Sequence, residues 1–272
     1  MTQELWRRTI AGDALRTFSL EPDRVVVSTG LCSVEFDSDG RVLQTTEVPE
    51  ARAVPPRAWL LRHAYHLSDG ALVCYDAESR TTTRALVPIE PFAAHKERLE
   101  RSFLQSTDDK IRQWDRYTFL VADPEHDRLI FTGYSIPPWL GALRPDGSTA
   151  WVNVMGKNTD CCNELAIVSS DGTIAHHSSC GGRLTFVDRA GATVSVHELA
   201  RPSSGIATER KGVVYISFLD EGVGAYQIDR GLLWTLDIPM LSRAAVRDGV
   251  VYGVTDDRAG EIALSAFAAP AA

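Results

Sequence analysis

Short runs of apolar and β-branched residues recur along the chain, separated by turn-forming pairs. The clearest unit reads Gly205-Ile-Ala-Thr-Glu-Arg, Lys211-Gly212, Val213-Val-Tyr-Ile-Ser-Phe, Gly224-Ala-Tyr-Gln-Ile-Asp-Arg-Gly and Leu232-Leu-Trp-Thr-Leu. Runs this short and this rich in Val, Ile, Tyr and Thr favour strands over helices. The pairs Asp171-Gly172, Lys211-Gly212 and Asp248-Gly249 supply residues that tolerate the positive φ of tight hairpins. Each unit therefore predicts four short antiparallel strands. An acidic residue closes the third strand of successive units at Asp37, Asp76, Asp146, Asp188 and Asp229. The spacing is about 40 residues except for a gap of about 70 between Asp76 and Asp146, and four-stranded units of that period predict β-propeller blades.

The expected fold is all-β: a six-bladed β-propeller with blades at 14–49, 50–90, 117–156, 163–200, 203–239 and 241–270. The last unit holds only three strands. Glu4-Leu-Trp-Arg-Arg-Thr-Ile matches the fourth-strand pattern of Leu233-Trp-Thr-Leu and Ala150-Trp-Val-Asn-Val. The N-terminal strand is therefore expected to complete the last blade and close the ring, which removes open sheet edges. The long gap falls on Glu90 to Asp115, where Phe92, Leu99, Phe103, Ile111 and Trp114 sit among charges at helical spacing. This predicts a helical insertion, 90–115, between the second and third blades: either a helix packed on the rim or a lid over the channel mouth.

Two repeat segments carry resemblances. Gly141-Ala-Leu-Arg-Pro-Asp-Gly-Ser-Thr-Ala-Trp and Gly224-Ala-Tyr-Gln-Ile-Asp-Arg-Gly-Leu-Leu-Trp resemble the repeat of quinoprotein-like (PQQ-like) propellers, in which the tryptophan docks one blade on the next. Asn163-Glu-Leu-Ala-Ile-Val-Ser-Ser-Asp-Gly-Thr-Ile is similar to six-bladed repeats of the gluconolactonase and NHL type. Cys161-Cys162 resembles the vicinal cysteine pair that faces the quinone in quinoprotein alcohol dehydrogenases. The gluconolactonase resemblance implies a divalent metal at the mouth of the channel, held by acidic and Asn side chains where inner strands start. Asn163 stands at such a place.

Composition narrows the partners. The 272 residues are 44% hydrophobic and 24% charged, an ordinary globular balance that excludes a disordered or fibrous chain. With 28 Lys+Arg against 36 Asp+Glu the formal charge is −8, which argues against a nucleic-acid duplex or a membrane surface as the main partner. No apolar stretch of signal-peptide length follows the first residues, so a cytoplasmic location is expected. Five cysteines, an odd number in a long chain, do not read as a secreted disulfide framework.

Three of those cysteines, Cys161, Cys162 and Cys180, lie close together in sequence. Setting the fourth blade's first hairpin at Asp171-Gly172, with Ser170 opposite Thr173, places Asn163 opposite Cys180. The Cys161-Cys162 pair and the loop Ser178-Ser-Cys-Gly-Gly then share one rim. Cys161, Cys162 and Cys180 with Asp160 offer a ligand set for zinc, copper or another divalent metal. Alternatively a thiolate acts as nucleophile, or the thiols exchange with a disulfide, with His177 as the catalytic partner. The plain alternative packs the cysteines as small apolar residues, although adjacent residues of a strand point to opposite sides. His176 and His177 alternate likewise, so one of them at most faces a given site.

Candidate ligand-binding residues on the same face are Asn163, Trp139 in the stiff segment Ile136-Pro-Pro-Trp139, His66, Trp114 of the insertion, Asp220 and Arg258. Phosphate-cradling Gly-rich loops, Gly-x-Ser-x-Gly elbows and His-Glu-x-x-His helices are absent from the sequence. Two functions remain. One is a propeller that binds a small molecule at the channel mouth and acts on it as a lyase, cyclase or hydrolase, with metal or thiol assistance. The other is a noncatalytic scaffold for a protein partner.

Overall fold

Among the described residues, twenty-four strands form six four-stranded antiparallel sheets, the blades of a six-bladed β-propeller. The computed structural model describes residues 3–12, 15–21, 23–29, 31–47, 58–60, 63–68, 71–86, 119–133, 139–154, 163–178, 182–199, 201–209, 211–256 and 261–270. By internal packing the chain divides into two units, Met1–Ala53 with Leu199–Ala272, and Val54–Glu198.

The first unit holds three blades. Blade one is β2 (Leu15–Leu20), β3 (Val25–Thr29), β4 (Cys32–Phe36) and β5 (Val42–Glu47). Blade five is β18 (Ser203–Thr208), β19 (Val213–Phe218), β20 (Gly222–Gln227) and β21 (Gly231–Asp237). Blade six is β22 (Leu241–Arg247), β23 (Val250–Asp256) and β24 (Ile262–Ala268), completed by β1 (Glu4–Ile10), which pairs with β24 from Glu4 opposite Phe267 to Ile10 opposite Ile262. The N-terminal strand is thus the fourth strand of the last blade, as its Trp-containing pattern predicts.

The second unit holds the other three. Blade two is β6 (Ala58–Leu60), β7 (His63–Ser68), β8 (Ala71–Asp76) and β9 (Thr81–Leu86). Blade three is β10 (Phe119–Asp123), β11 (Arg128–Gly133), β12 (Trp139–Leu143) and β13 (Thr149–Val154). Blade four is β14 (Asn163–Ile167), β15 (Ile174–Ser178), β16 (Arg183–Val187) and β17 (Thr193–Glu198). The predicted helical insertion at 90–115 lies outside the described residues. Among the described residues the only helical element is a single 3₁₀ turn, Pro124–His126.

The periodic aspartates build the turns between third and fourth strands. The carboxylate of Asp37 accepts the N–H groups of Asp39 (2.9 Å) and Arg41 (2.8 Å), and those of Asp76, Asp146 and Asp188 accept from Glu78, Ser148 and Ala192. The hydroxyl and N–H of Ser148 hold the Asp146 carboxyl below its ordinary range. A side-chain acceptor replaces ladder partners that the tight turn cannot supply, which is why Asp recurs there. One bulge precedes the turn at the same place in four blades, at Glu35/Phe36, Ala142/Leu143, Phe186/Val187 and Ala225/Tyr226.

Those turns are also where a neighbouring blade docks. Trp151 of blade three donates its indole N–H to the carbonyl of Arg189 (3.1 Å) and Asn153 donates to the carbonyl of Gly191 (2.7 Å). Trp6 of blade six donates to Ser38 (3.0 Å) and Arg8 to Gly40 (2.8 Å) of blade one. The glycines are required twice over. Gly40 and Gly191 have φ of 74° and 92°, and a Cβ there would lie 2.6 and 2.5 Å from the indole. Trp234 of blade five has no such turn to meet, because the fourth strand of blade six is supplied by the N-terminus. It packs instead on the apolar cluster shared by blades five and six, its ring 5.9 Å from that of Tyr215.

At the first hairpins, polar side chains bridge consecutive blades. Arg128, 5% exposed, bonds the buried Asp123 carboxylate through Nε (2.7 Å), and its two terminal nitrogens donate to the carbonyls of Arg189 (2.6 Å) and Gly172 (2.7 Å) of blade four. Glu209 of blade five accepts the N–H of Asp248 (2.8 Å) of blade six and the hydroxyl of Tyr215 (3.0 Å). Burial and that carboxylate push the Tyr215 phenol up. Arg247 of blade six donates to the carbonyl of Glu21 of blade one.

Gly191→Ala is expected to lower unfolding free energy by about 1–3 kcal/mol more than Gly212→Ala. Both positions have positive φ, but no atom lies within 4 Å of a Cβ at Gly212, so the difference in urea midpoints measures the indole dock. Asp123→Ala leaves the Arg128 charge buried and uncompensated, at a cost of about 3–5 kcal/mol. Asp123→Ala/Arg128→Met should recover part of that loss in the same titration.

Candidate functional site

Blade four carries the residues that the sequence marks for chemistry, and one aspect of its register differs from expectation. The first hairpin has Val168 donating to the Thr173 carbonyl (2.8 Å) and Gly172 to Ser169 (3.1 Å). A four-residue loop, Ser169–Gly172, thus replaces the two-residue turn. It is held by the Asp171 carboxylate, which accepts the Ser169 hydroxyl (2.5 Å) and the Thr173 N–H (2.9 Å) and is kept below the ordinary carboxylate range mainly by that hydroxyl. The β14–β15 ladder is consequently offset by two positions: Asn163 lies opposite Ser178, and not opposite Cys180. An offset of two preserves the face to which every side chain points.

The β15 strand, Ile174-Ala-His-His-Ser178, is buried along its whole length. His176 and His177 are each 1% exposed and Ser178 is 2% exposed. Alternation puts His176 and Ser178 on the face of Ile174, and Ile174, Leu165 and Val187 pack with Ile130, Leu140 and Ala142 of blade three. His177 lies on the opposite face, cross-strand from Glu164 and Leu184. Among the described residues, Nε2 of His176 and Oγ of Ser178 have no hydrogen-bond partner. A buried polar atom left so costs about 1–3 kcal/mol, and native structures hold few of them. Burial pushes the His176 imidazole down to about 4, so at neutral pH it is an uncharged donor or ligand group.

The strand ends that carry Asn163 and Ser178 are paired with each other, so the segments holding Cys161-Cys162 and Cys180 leave from the same end of blade four. Asp160, Cys161, Cys162, Cys180, Trp114 and Arg258 themselves lie outside the described residues. Trp139 opens β12 opposite Gly133 and Val154. His66 is half-buried in blade two, cross-strand from Val73. Asp220, in the other unit, sits at φ 59° in the β19–β20 connection, where its N–H donates to Leu241 and its carbonyl accepts from Met240, both at 3.2 Å. No group of three His, Cys, Asp or Glu able to hold a metal ion occurs among the described residues.

A second polar centre, at the other end of the same two blades, was not legible from motifs. His126, in the 3₁₀ turn, donates from Nδ1 to both carboxylate oxygens of Asp123 (3.0 and 3.1 Å), and the same carboxylate holds Arg128. Gly172 closes against this group: a Cβ there would lie 2.7 Å from the Arg128 guanidinium and 2.9 Å from the His126 ring. The run Asp123-Pro-Glu-His-Asp-Arg128 gives no distinctive sequence signal, because Glu21-Pro-Asp-Arg24 and Glu209-Arg-Lys211 make the first hairpins of blades one and five charged as well.

His176 carries a pH signature. Its folded pKa is depressed below the unfolded value, so its contribution is complete above about pH 6.5 and is lost as pH falls towards 4, by up to about 3 kcal/mol. Unfolding free energy measured from pH 7 to 4 should show that loss, and His176→Gln should flatten it. An unchanged slope in the variant would contradict the assignment.

No known protein family matches the sequence, and no curated protein does. Solved structures do match. The β-propeller domain of Cps50 (Swd1) from Myceliophteria thermophila aligns with a TM-score of 0.62 at 8% identity, over 99% of this chain and 100% of that one. Virginiamycin B lyase from Staphylococcus aureus aligns with a TM-score of 0.54 at 10% identity, over 91% and 81%. BamB from Moraxella catarrhalis aligns with a TM-score of 0.51 at 14% identity, over 92% and 71%. These likenesses, to an enzyme and to proteins of other kinds alike, show that the chain has the propeller fold that its repeats predict.

Proposed function

We propose that the chain binds a small molecule at the end of blade four where β14 starts and β15 finishes, and acts on it. The thiols of Cys161, Cys162 and Cys180 serve there as nucleophile or, with Asp160, as ligands of a divalent metal or copper. Chemistry of the lyase, cyclase or hydrolase type needs no electron acceptor and suits such a set. Asn163 and His177 belong to the same strand ends, Trp139 belongs to the adjoining blade three, and His66 to blade two of the same unit. Thiol chemistry of this kind fits a reducing, cytoplasmic compartment.

The observation that carries the reading is the buried, polar end of β15. A strand built only to pack would not place His176, His177 and Ser178 in succession at 1–2% exposure and leave His176 Nε2 and Ser178 Oγ without partners among the described residues. Buried polar groups kept at such a cost are a mark of functional sites. A second reading, a scaffold for a protein partner, is favoured by Leu31, Leu219 and Met240, aliphatic side chains 60%, 45% and 40% exposed on strand connections of the other unit.

Elemental analysis and iodoacetamide labelling of the wild type and of the Cys161→Ser/Cys162→Ser/Cys180→Ser variant separate the two. The site reading expects either about one equivalent of zinc, copper or another divalent ion, lost in the variant, or a thiol that labels at least tenfold faster than Cys74. Equal unfolding midpoints for the two proteins keep lost chemistry distinct from lost folding. A metal-free wild type with uniformly slow thiols overturns the site reading and leaves the scaffold.

A further inference from the structure

A groove of about 620 Å³ opens between the turns of blades three and four, at the opposite end of β15 from Asn163 and Ser178. The five residues of β15 span about 17 Å, so the two places are separate. Pro145, Ala150 and Trp151 form its apolar side. Beside the buried Arg128, which Asp123 pairs, its charged side chains divide by sign: Arg144 and Arg189 come from the turns between third and fourth strands, and Glu125 and Asp127 from the first hairpin of blade three. All four are exposed. Among the described residues, neither arginine forms an ion pair with either acid or with any other. The Arg144 guanidinium donates to the Ser148 hydroxyl (3.3 Å) and the Thr149 carbonyl (3.0 Å), and its charge helps hold the Asp146 carboxyl down.

The same tryptophan-on-glycine dock recurs between blades six and one, and there two arginines of blade one, at other turn positions, have acidic partners. Arg24 pairs with Glu21 (2.6 Å) and Glu35 (3.1 Å), and Arg41 with Asp39 (3.9 Å). In the blade three and four groove, opposite charges are present and remain apart. The walls that hold them apart are stiff. The Arg189 carbonyl is tied by Arg128 and by the Trp151 indole, and His126 and Arg128 are locked to the buried Asp123. A preformed groove binds without the cost of ordering its side walls.

We infer that this groove is a binding site for a small zwitterion with a flat ring, of the aromatic amino-acid class. The two guanidinium groups match a carboxylate, the two acids match an ammonium, and the indole with Pro145 matches the ring. A polyanion such as a nucleoside triphosphate meets Glu125 and Asp127 and is disfavoured, and so is a simple cation by the arginines.

Isothermal titration with L-phenylalanine, phenylacetate and phenethylamine tests each part. L-Phenylalanine should bind at millimolar concentration or better, and the two singly charged probes at least tenfold more weakly. Arg144→Ala/Arg189→Ala should weaken phenylalanine binding tenfold or more, and Arg41→Ala, at the dock between blades six and one, should leave it unchanged. Both arginines are exposed, so matched circular dichroism and unfolding midpoints confirm the variants' folding. The Cys161→Ser/Cys162→Ser/Cys180→Ser variant should retain the binding, which keeps this result independent of the blade-four site. Absence of phenylalanine binding at 10 mM, equal affinity for phenylacetate, or an unchanged double variant each overturn the assignment.

Discussion

A four-stranded sheet whose residues are apolar on both faces must be covered on both sides, and the docking of one blade's fourth strand on the next blade's turn is what registers that packing. Trp151 on Gly191 and Trp6 on Gly40 do this with one geometry: an indole flat against a glycine whose φ is positive, its N–H on the turn carbonyl, and a second side chain two residues on bonding the glycine carbonyl. The turn can receive the indole because an aspartate carboxylate has already satisfied its free N–H groups. Sheet burial, turn chemistry and blade spacing therefore depend on the same few residues.

The first hairpins supply a second set of ties of more varied chemistry. A buried arginine with its aspartate joins blades three and four, a glutamate joins five and six, and an arginine reaching a carbonyl joins six and one. Hydrophobic burial is non-directional, whereas these polar bonds have one good geometry each. Asp123 shows the risk of the device: the carboxylate stabilises only while both Arg128 and His126 are present to use it.

Against this background, the β15 end is an exception to the rule that blade interiors are apolar or fully bonded. His176 shares its face with Ile174, next to the apolar residues of blade three, yet it brings an imidazole that burial keeps neutral. The groove at the far end of β15 departs from the same rule in another way, since four charges stand around it without pairing. Both departures occur in blades three and four, at the two ends of one strand.

Much of this was legible in the sequence. The number of blades, their boundaries and the completion of the last blade by Glu4–Ile10 follow from a period of about 40 residues with Asp, Gly and Trp at fixed offsets, because local turn chemistry and strand alternation repeat with the chain, while the docking role of the tryptophans came from the resemblance to quinoprotein-like repeats. The register of the β14–β15 pair was not legible. Asp171-Gly172 reads as a two-residue turn, and only the bonds from Ser169 and Thr173 to the Asp171 carboxylate make the loop four residues long. The burial of His176 and His177 on both faces of one strand was hidden for a similar reason: alternation assigns each to a face, but a face is buried only when another sheet covers it. Likewise the grouping of Glu125, Asp127, Arg144 and Arg189 joins three turns distant in sequence, and no local pattern encodes which charges then fail to meet. The sequence alone determined the repeating unit, through short-range chemistry. Tertiary structure decided what the ends of those units confront, because that depends on packing between blades.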